Sequence, residues 1–329
     1  MDCVYVTRGW GIHDERWTAA LRDLGHEPAT VSLAPGDDAA ATIRELFAQS
    51  GPMPVLAGPL NTVTRDLVGL DTRLVGLSWG FDLHELADAG ELAWLSRLDA
   101  LLVDSEATRA IAMGAGVRGD RITLLPWGID IDTFRSDGPA TTAAELGLPV
   151  NSKIVLSLRA HEELYRVADI VEAFVGVQAV IPDARLVIGH AGSQTDLLRA
   201  RVDELGLADA VAFIGTVAEP DLARLLRGAA CYVTAASVDG TSVTLLQAMA
   251  CGTPVVASAT PGNLGWISPG QTGRVFPTAD VPALTASIVE ALTSRDDDLV
   301  RRASELVRSQ ADWARNIERL EAAMFPAPR

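Results

Sequence analysis

DGTSVTLLQAMACGTPVV, residues 239–256, changes character twice. It begins as a loop of small polar residues, runs into an apolar segment of helical length, breaks at Gly-Thr-Pro and resumes as a β-branched strand. Thr241 or Ser242 is the candidate N-cap, with a hydroxyl placed to accept from the first unpaired N–H groups. Val243, Leu245, Leu246, Met249 and Ala250 leave the helix apolar on most sides, which predicts burial. Cys251-Gly252 ends it and Pro254 prevents resumption; Val255-Val256-Ala257 then reads as a short buried strand. A helix start offers free N–H donors and partial positive charge, and Gly240 admits a ligand to the backbone. The stretch can therefore hold an anion such as a diphosphate. On its own it reads first as an ordinary capped core helix, so the surrounding chain has to decide.

Outward from this point the same strand–helix alternation repeats. Before residue 133, strands are read at 3–6, 29–33, 54–58, 74–79, 100–105 and 122–128, with helices at 17–24, 39–49, 84–98 and 107–116. RGWGIHDER (8–16) is read as a loop. The segment TFRSDGPATTAAELGLPVNS (133–152) is polar, small and turn-forming, and it breaks the pattern. Strands then return at 153–158, 184–189, 210–215, 230–235, 255–257 and 273–276. Helices between and after them are read at 168–181, 195–205 and 219–227, followed by two amphipathic helices at 281–294 and 297–323. Such alternation implies parallel sheets with right-handed crossovers. The expected organisation is a Rossmann-like domain at 1–137, a second at 138–310, and a C-terminal helix at 311–329 crossing back to the first. Doubly wound sheets bind ligands at the carboxyl ends of their strands; for two such domains face to face, the site is the cleft between them.

Bulk properties exclude several classes of function. A net charge of −16 repels nucleic acid and anionic lipid surfaces. No apolar run approaches membrane-spanning length, so no stable membrane insertion is expected. Three cysteines, Cys3, Cys231 and Cys251, are too few and odd in number for a disulfide framework. With a start, MDCVYVTRGW, that lacks a secretory pattern, they point to a reducing cytoplasm. Lys153 is the single lysine, so the positive charge is almost all arginine.

Two arginines carry the chemistry of the second half. Arg159 follows the strand KIVLSL, and Arg166 lies seven residues on, before the next helix. Together with the helix start at 241–243 they could converge on a diphosphate through charge-assisted bonds. The competing role for Arg159 is a surface ion pair with Glu162 or Glu163. In the first half, Gly9 and Gly11 form a Gly-x-Gly turn without the third glycine of a dinucleotide fingerprint, which argues against an NAD site. The five histidines are scattered and no zinc spacing occurs, so no metal and no cofactor are expected. Asp130-Ile-Asp132 reads as turn caps rather than a metal pair. There is no Gly-x-Ser-x-Gly elbow and no P-loop.

In these features the chain resembles the family 4 glycosyltransferases, retaining nucleotide-sugar-dependent enzymes of the GT-B fold, in which two Rossmann-like α/β/α domains face each other across a cleft. The family signature is an acid, seven residues, then Glu-Ala-Met-Ala-x-Gly-x-Pro-Val-Val. Here it reads Asp239, seven residues, then Gln247-Ala-Met-Ala-Cys-Gly-Thr-Pro-Val-Val. WGIH, DLGHEPATV, ITLLPWGIDIDTF, LVIGHAG, VAFIGTV and the tail around Trp313 resemble further family segments. The resemblance implies that Asp239 binds donor-sugar hydroxyls, that Gly240 and the amides of Thr241, Ser242 and Val243 receive the diphosphate, and that Arg159 binds phosphate. It also implies that Gln247 holds the ribose, that Gly11 faces the diphosphate and acceptor, and that Thr216 and Val217 meet the base. Two positions depart from the family: the ribose-binding Glu is Gln247, and the phosphate-binding Lys is Tyr165, with Arg166 beside it as its substitute.

The implied activity is a metal-independent, retaining transfer of a hexosyl or N-acetylhexosaminyl group. The donor is a nucleoside-diphosphate sugar, UDP ranked ahead of GDP, and the acceptor a small soluble sugar or natural product. Asp82, in SWGFDLHE, and His13 are the candidates for orienting the acceptor, with Asp82, Asp239 and Arg159 forming the expected catalytic set. Two alternatives stand beside it: a nucleotide-sugar-binding paralogue without turnover, and an epimerase or phosphorylase on the same fold.

Overall fold

The computed structural model describes residues 1–327. The chain forms two compact units, Met1–Trp127 together with the chain from Trp313 onward, and Gly128–Asp312.

The first unit runs β1 (Cys3–Arg8), α1 (Ile12–Asp23), β2 (Pro28–Leu33), α2 (Ala39–Ser50), β3 (Val55–Ala57), α3 (Thr62–Asp66), β4 (Leu74–Leu77), α4 (Phe81–Asp88), β5 (Ala100–Val103), α5 (Glu106–Gly114) and β6 (Ile122–Leu124). Its six strands are all parallel, in the order β2-β1-β3-β4-β5-β6. The inner strands are buried on both sides, β3, β4 and β5 at every residue and β1 up to Thr7, because helices cover both faces. Val4 pairs with Val55 and Val6 with Ala57 in register, and all four are buried in one core with Ile43 and Leu101.

The second unit runs β7 (Lys153–Ser157), α6 (Val167–Val180), β8 (Ala184–Gly189), α7 (Thr195–Glu204), β9 (Val211–Gly215), α8 (Glu219–Gly228), β10 (Cys231–Thr234), α9 (Val243–Ala250), β11 (Val255–Ser258), α10 (Pro261–Leu264), β12 (Arg274–Phe276), α11 (Val281–Thr293) and α12 (Asp297–Gln310). Its sheet is again six-stranded and parallel, ordered β12-β11-β10-β7-β8-β9. One face packs on Leu245, Leu246 and Met249 of α9 and on α12, the other on Ile170 and Phe174 of α6 and on α11. A last helix, α13 (Trp313–Met324), belongs to the first unit. There the Nδ2 of Asn316 donates to the Pro126 carbonyl at 3.1 Å, and the Nε of Arg73 donates to the Ala323 carbonyl at 2.8 Å.

Twelve strands form where twelve were read, and four helical details differ. α1 starts at Ile12, so most of the segment read as a loop is helix. Its start is fixed by Asp14, a buried carboxylate that accepts from the Gly11 N–H and the Tyr5 hydroxyl, both at 2.8 Å. The helix read over 84–98 ends at Asp88; Gly90 turns left-handed (φ +71°) and a 3₁₀ turn, Ala93–Arg97, follows. The helix read over 297–323 is broken at 311–312, where the Ala311 carbonyl accepts from the Ile129 N–H at 2.8 Å and the chain leaves the second unit. The short α3 and α10 lie in segments where no element was read.

The division between units falls at Gly128, before the position expected from composition. Ile129 and Phe134 are buried in the core of the second unit, so the polar stretch after them is a loop laid on that unit and not a linker. Asp130 caps a turn there, accepting from the Asp132 N–H at 2.9 Å. Among the described residues no helix is long and apolar enough to cross a membrane.

Candidate functional site

In the second unit the chain winds outward from β7 through β8 to β9, then returns to the other side of β7 with β10. The strand order reverses between β7 and β10, and such switch points are where open α/β sheets leave a crevice. Tyr232 of β10 pairs with Leu156 of β7, so the loops after both strands emerge side by side. Arg159 comes from the first loop and residues 235–242 from the second.

The Arg159 guanidinium is held on three sides. Its Nη2 lies 3.0 Å from Asp239 Oδ2, its Nη1 donates to Ser242 Oγ at 2.8 Å, and its central carbon sits 4.1 Å from the centre of the Tyr165 ring. The side chains of Arg159 and Asp239 are only 12% and 10% exposed. Burial pulls the arginine toward losing its proton, but Asp239 together with Tyr232 and Tyr165 outweighs it, and Arg159 stays above its ordinary range. A permanent cation is thus fixed beside the start of α9. Ser242 caps that helix, its Oγ accepting from the Leu245 N–H at 3.4 Å.

Gln247 lies one turn further along α9. The residue is 6% exposed, and among the described residues its amide makes no hydrogen bond; it is not one of the fully enclosed unpartnered groups, so it is open to solvent or to a ligand. Three more hydroxyls at the switch point are buried without partners: Ser157 at the end of β7, and Tyr232 and Thr234 in β10. Burial pushes the Tyr232 phenol up to about 12, so it remains a neutral donor. Polar residues closing otherwise apolar strands are the sequence signal for these positions, and the sequence reading missed them.

The loop carrying Asp239 is packed from behind. A Cβ at Gly262, in α10, would overlap the carbonyl oxygens of Asp239 and Gly240. Gly262→Ala is therefore expected to push this loop out of place and to weaken UDP binding at least tenfold while the chain stays folded. Titration calorimetry with circular dichroism checks it; wild-type affinity would show that the loop absorbs the methyl.

Other expected site residues fall as follows. Arg166 adopts a left-handed conformation (φ +49°) at the start of α6 and gives its guanidinium to Asp169, with both Nε and Nη2 at 2.8 Å from Oδ2. Tyr165, not Arg166, is the member of this pair that touches Arg159. Glu162, one of the local partners considered for Arg159, instead accepts from the Ser193 N–H at 2.8 Å. Thr216 is exposed just past β9, and Val217 packs partly against the core under α8 and α9.

In the first unit the expectations change more. Gly11 caps α1 with an extended backbone, and its N–H is taken by Asp14. Asp82 is 2% exposed and accepts four hydrogen bonds: from the Leu60 N–H at 2.7 Å, Ser78 Oγ at 2.6 Å, Trp79 N–H at 3.1 Å and Leu83 N–H at 2.8 Å. Burial pushes its carboxyl up and the four donors hold it back. All its lone pairs are used in fastening the loops after β3 and β4, so Asp82 is a positioning residue and not an acceptor ligand. His13 packs against Trp79 and Trp127, with ring centres 5.1 and 4.8 Å away. Its partial enclosure by these rings, with Arg16 nearby, lowers its pKa. Among the described residues no group of three or more His, Cys, Asp or Glu is placed to hold a metal ion.

Comparison with known proteins agrees with this architecture. The model of the family described as Glycosyl transferases group 1 matches residues 140–310, just over half of the chain. A D-inositol 3-phosphate glycosyltransferase of Mycolicibacterium smegmatis is 29% identical over 251 residues, covering 72% of this chain and 55% of that one. The protein of the same name from Mycobacterium tuberculosis strain F11 is 32% identical over 277 residues, covering 81% and 48%. The chain thus spans about half the length of the curated relatives it matches. Among solved structures, Anabaena HepE in complex with UDP and glucose superposes with a TM-score of 0.77 at 14% identity, covering 97% of this chain and 98% of that one. A glycosyltransferase from Rickettsia africae gives 0.79 at 13% identity, covering 99% of each. At such identities the structures speak for the fold alone, GT-B. The family match and the paired parallel sheets together place the chain in the group 1 glycosyl transferases, the family 4 branch of the GT-B fold.

Proposed function

We propose that the protein is a retaining glycosyltransferase that moves a hexosyl or N-acetylhexosaminyl group from a nucleoside-diphosphate sugar, UDP-linked, to a hydroxyl of a small soluble acceptor without a metal ion. The observation that carries this reading is the buried Arg159 cation fixed at the start of α9, with Asp239 against it and the unpartnered Gln247 amide one turn below. The donor lies with its diphosphate on Arg159 and the N–H groups of Thr241, Ser242 and Val243. Its ribose reaches Gln247 and its base the backbone at Thr216 and Val217. As the sugar C1–phosphate oxygen bond breaks, negative charge grows on the departing phosphate, and a preorganised cation and helix start stabilise it most at that moment. The acceptor oxygen bonds to C1 from the face the phosphate leaves, and its proton passes to the departing phosphate oxygen. Asp239 exchanges part of its contact with Arg159 for a donor-sugar hydroxyl.

Support for the donor comes from HepE, whose structure holds UDP and glucose, and for a small polyol acceptor from relatives named for inositol 3-phosphate. Three unpaired buried cysteines support a cytoplasmic protein. A carboxylate accepts from a ribose diol more strongly than an amide does, so Gln247→Glu is expected to tighten UDP binding about fivefold to tenfold, by roughly 1 kcal/mol. An unchanged or weaker affinity by calorimetry would place the ribose elsewhere.

A thermal-shift panel tests the reading: UDP, GDP, ADP, TDP and their sugars, each with and without EDTA. A ligand at about 100 times its dissociation constant adds roughly 2.7 kcal/mol. UDP raising the melting temperature regardless of EDTA is the expected result, and no shift with any nucleotide at millimolar concentration rejects it. UDP-sugar binding with no product across an acceptor panel would favour the paralogue without turnover, and release of an altered sugar without acceptor would favour an epimerase.

A further inference from the structure

The first unit has its own switch point, between β1 and β3, and a cavity of about 290 Å³ opens there between α3 and α4. That is close to the lower end of the range for small-molecule sites, about 300 Å³. Arg8, the last residue of β1, lines it together with Asn61, Thr62, Arg65, Glu85 and Glu91, and with Asp82, whose carboxylate is already spent on its four donors. Two of these charges cancel, since Arg65 pairs with Glu91 at 3.4 Å. Two do not. Among the described residues neither the Arg8 guanidinium nor the Glu85 carboxylate has a hydrogen-bond or ionic partner, and they do not pair with each other. The Thr62 hydroxyl is buried and unpartnered. Asn61 spends its oxygen on capping α3, accepting from the Val63 N–H at 2.8 Å, which leaves its Nδ2 free to donate.

The cavity therefore presents one free cation, one free anion, a hydroxyl and an amide donor over an apolar floor that includes Leu86 and Trp94. Unpaired charges of both signs lining a single pocket select a ligand that carries the opposite of each. We propose that this pocket binds a small hydroxylated zwitterion of monosaccharide size, with its anionic group on Arg8 and its ammonium on Glu85. A molecule of this class is then the acceptor; that last step rests on the transferase reading, whereas the binding itself does not.

The test titrates the whole chain calorimetrically with four probes. Glucosamine 6-phosphate and glucosaminate carry both charges, glucose 6-phosphate lacks the ammonium, and glucosamine lacks the anion. The expected result is that at least one zwitterion binds at least tenfold more tightly than either singly charged sugar. The tighter zwitterion then identifies the anion as phosphate or carboxylate. Arg8→Met is expected to abolish binding, and Glu85→Gln to bring the zwitterion to the level of glucose 6-phosphate. Both residues are exposed, and unchanged melting temperatures confirm folding. Equal affinity for all four probes, no binding of either zwitterion at 10 mM (about the weakest range calorimetry reads), or binding unaffected by both substitutions overturns the proposal. UDP titrated into the same wild-type sample separates the two claims. UDP binding without probe binding rejects the pocket and spares the transferase reading; probe binding without UDP binding does the reverse.

Discussion

Arg159→Ala is expected to lower UDP affinity about tenfold to a hundredfold and to bring sugar transfer below detection. Among the described residues Arg159 is the one side chain that places a fixed positive charge against both the α9 cap and Asp239. Removing a charge-assisted contact to a phosphate costs about 1.5–3 kcal/mol for binding alone, and stabilisation of the departing phosphate adds to this in the transition state. The alanine also strands Asp239, and breaking a buried ion pair typically costs about 3–5 kcal/mol of stability. Arg159→Lys separates the two effects. Lysine keeps the charge but lacks the planar fork and the stacking on Tyr165. Its variant is expected to melt close to wild type, with UDP bound about tenfold to thirtyfold more weakly and turnover reduced further. Wild-type turnover in Arg159→Lys would mean that geometry at this arginine is unimportant and that the phosphate sits elsewhere.

Asp82→Ala is expected to act on stability and leave the nucleotide alone. Four donors lose their acceptor at once, three of them backbone N–H groups. A stranded buried donor costs about 1–3 kcal/mol, and because neighbouring losses do not add fully the expected total is about 3–5 kcal/mol. In calorimetric melting this is expected as an earlier transition of the first unit, while UDP affinity, which the proposed donor site assigns to the second unit, is unchanged. Asp82→Asn fares little better, because its amide nitrogen faces donors where the carboxylate had oxygens. A variant that melts like wild type and loses turnover alone would return Asp82 to the reacting groups.

The contrast between these two residues shows what sequence can and cannot carry. The strands were legible because each is an aliphatic run bounded by turn formers, and parallel pairing needs no further code. The cap at Ser242 and the position of Arg159 past β7 followed from local rules. The partner of Arg159 did not. Glu162 and Glu163 are near in sequence, but Asp239 is brought to it only when β10 folds against β7. The same holds for Asp82, whose four donors come from two loops, and for Asp14, which reaches the Tyr5 hydroxyl across the β1–α1 turn. Arg166, expected to stand in for the family's lysine, gives its guanidinium to Asp169 from a left-handed backbone, and Tyr165 stacks on Arg159, contacts that spacing along the chain does not show. The unit boundary moved because a polar, turn-rich segment can be folded onto a core by a few apolar anchors, here Ile129, Phe134 and Ala143 with Leu146 and Leu148 packed beside them.

The most direct measurement is titration calorimetry of UDP into the intact protein in the presence of EDTA, repeated with Arg159→Lys and Gln247→Glu. The account predicts one binding site per chain, insensitive to the chelator, weakened by the lysine and tightened by the glutamate. Absence of binding at millimolar UDP, or an affinity that neither substitution moves, would contradict a donor site built from Arg159, Asp239 and the start of α9.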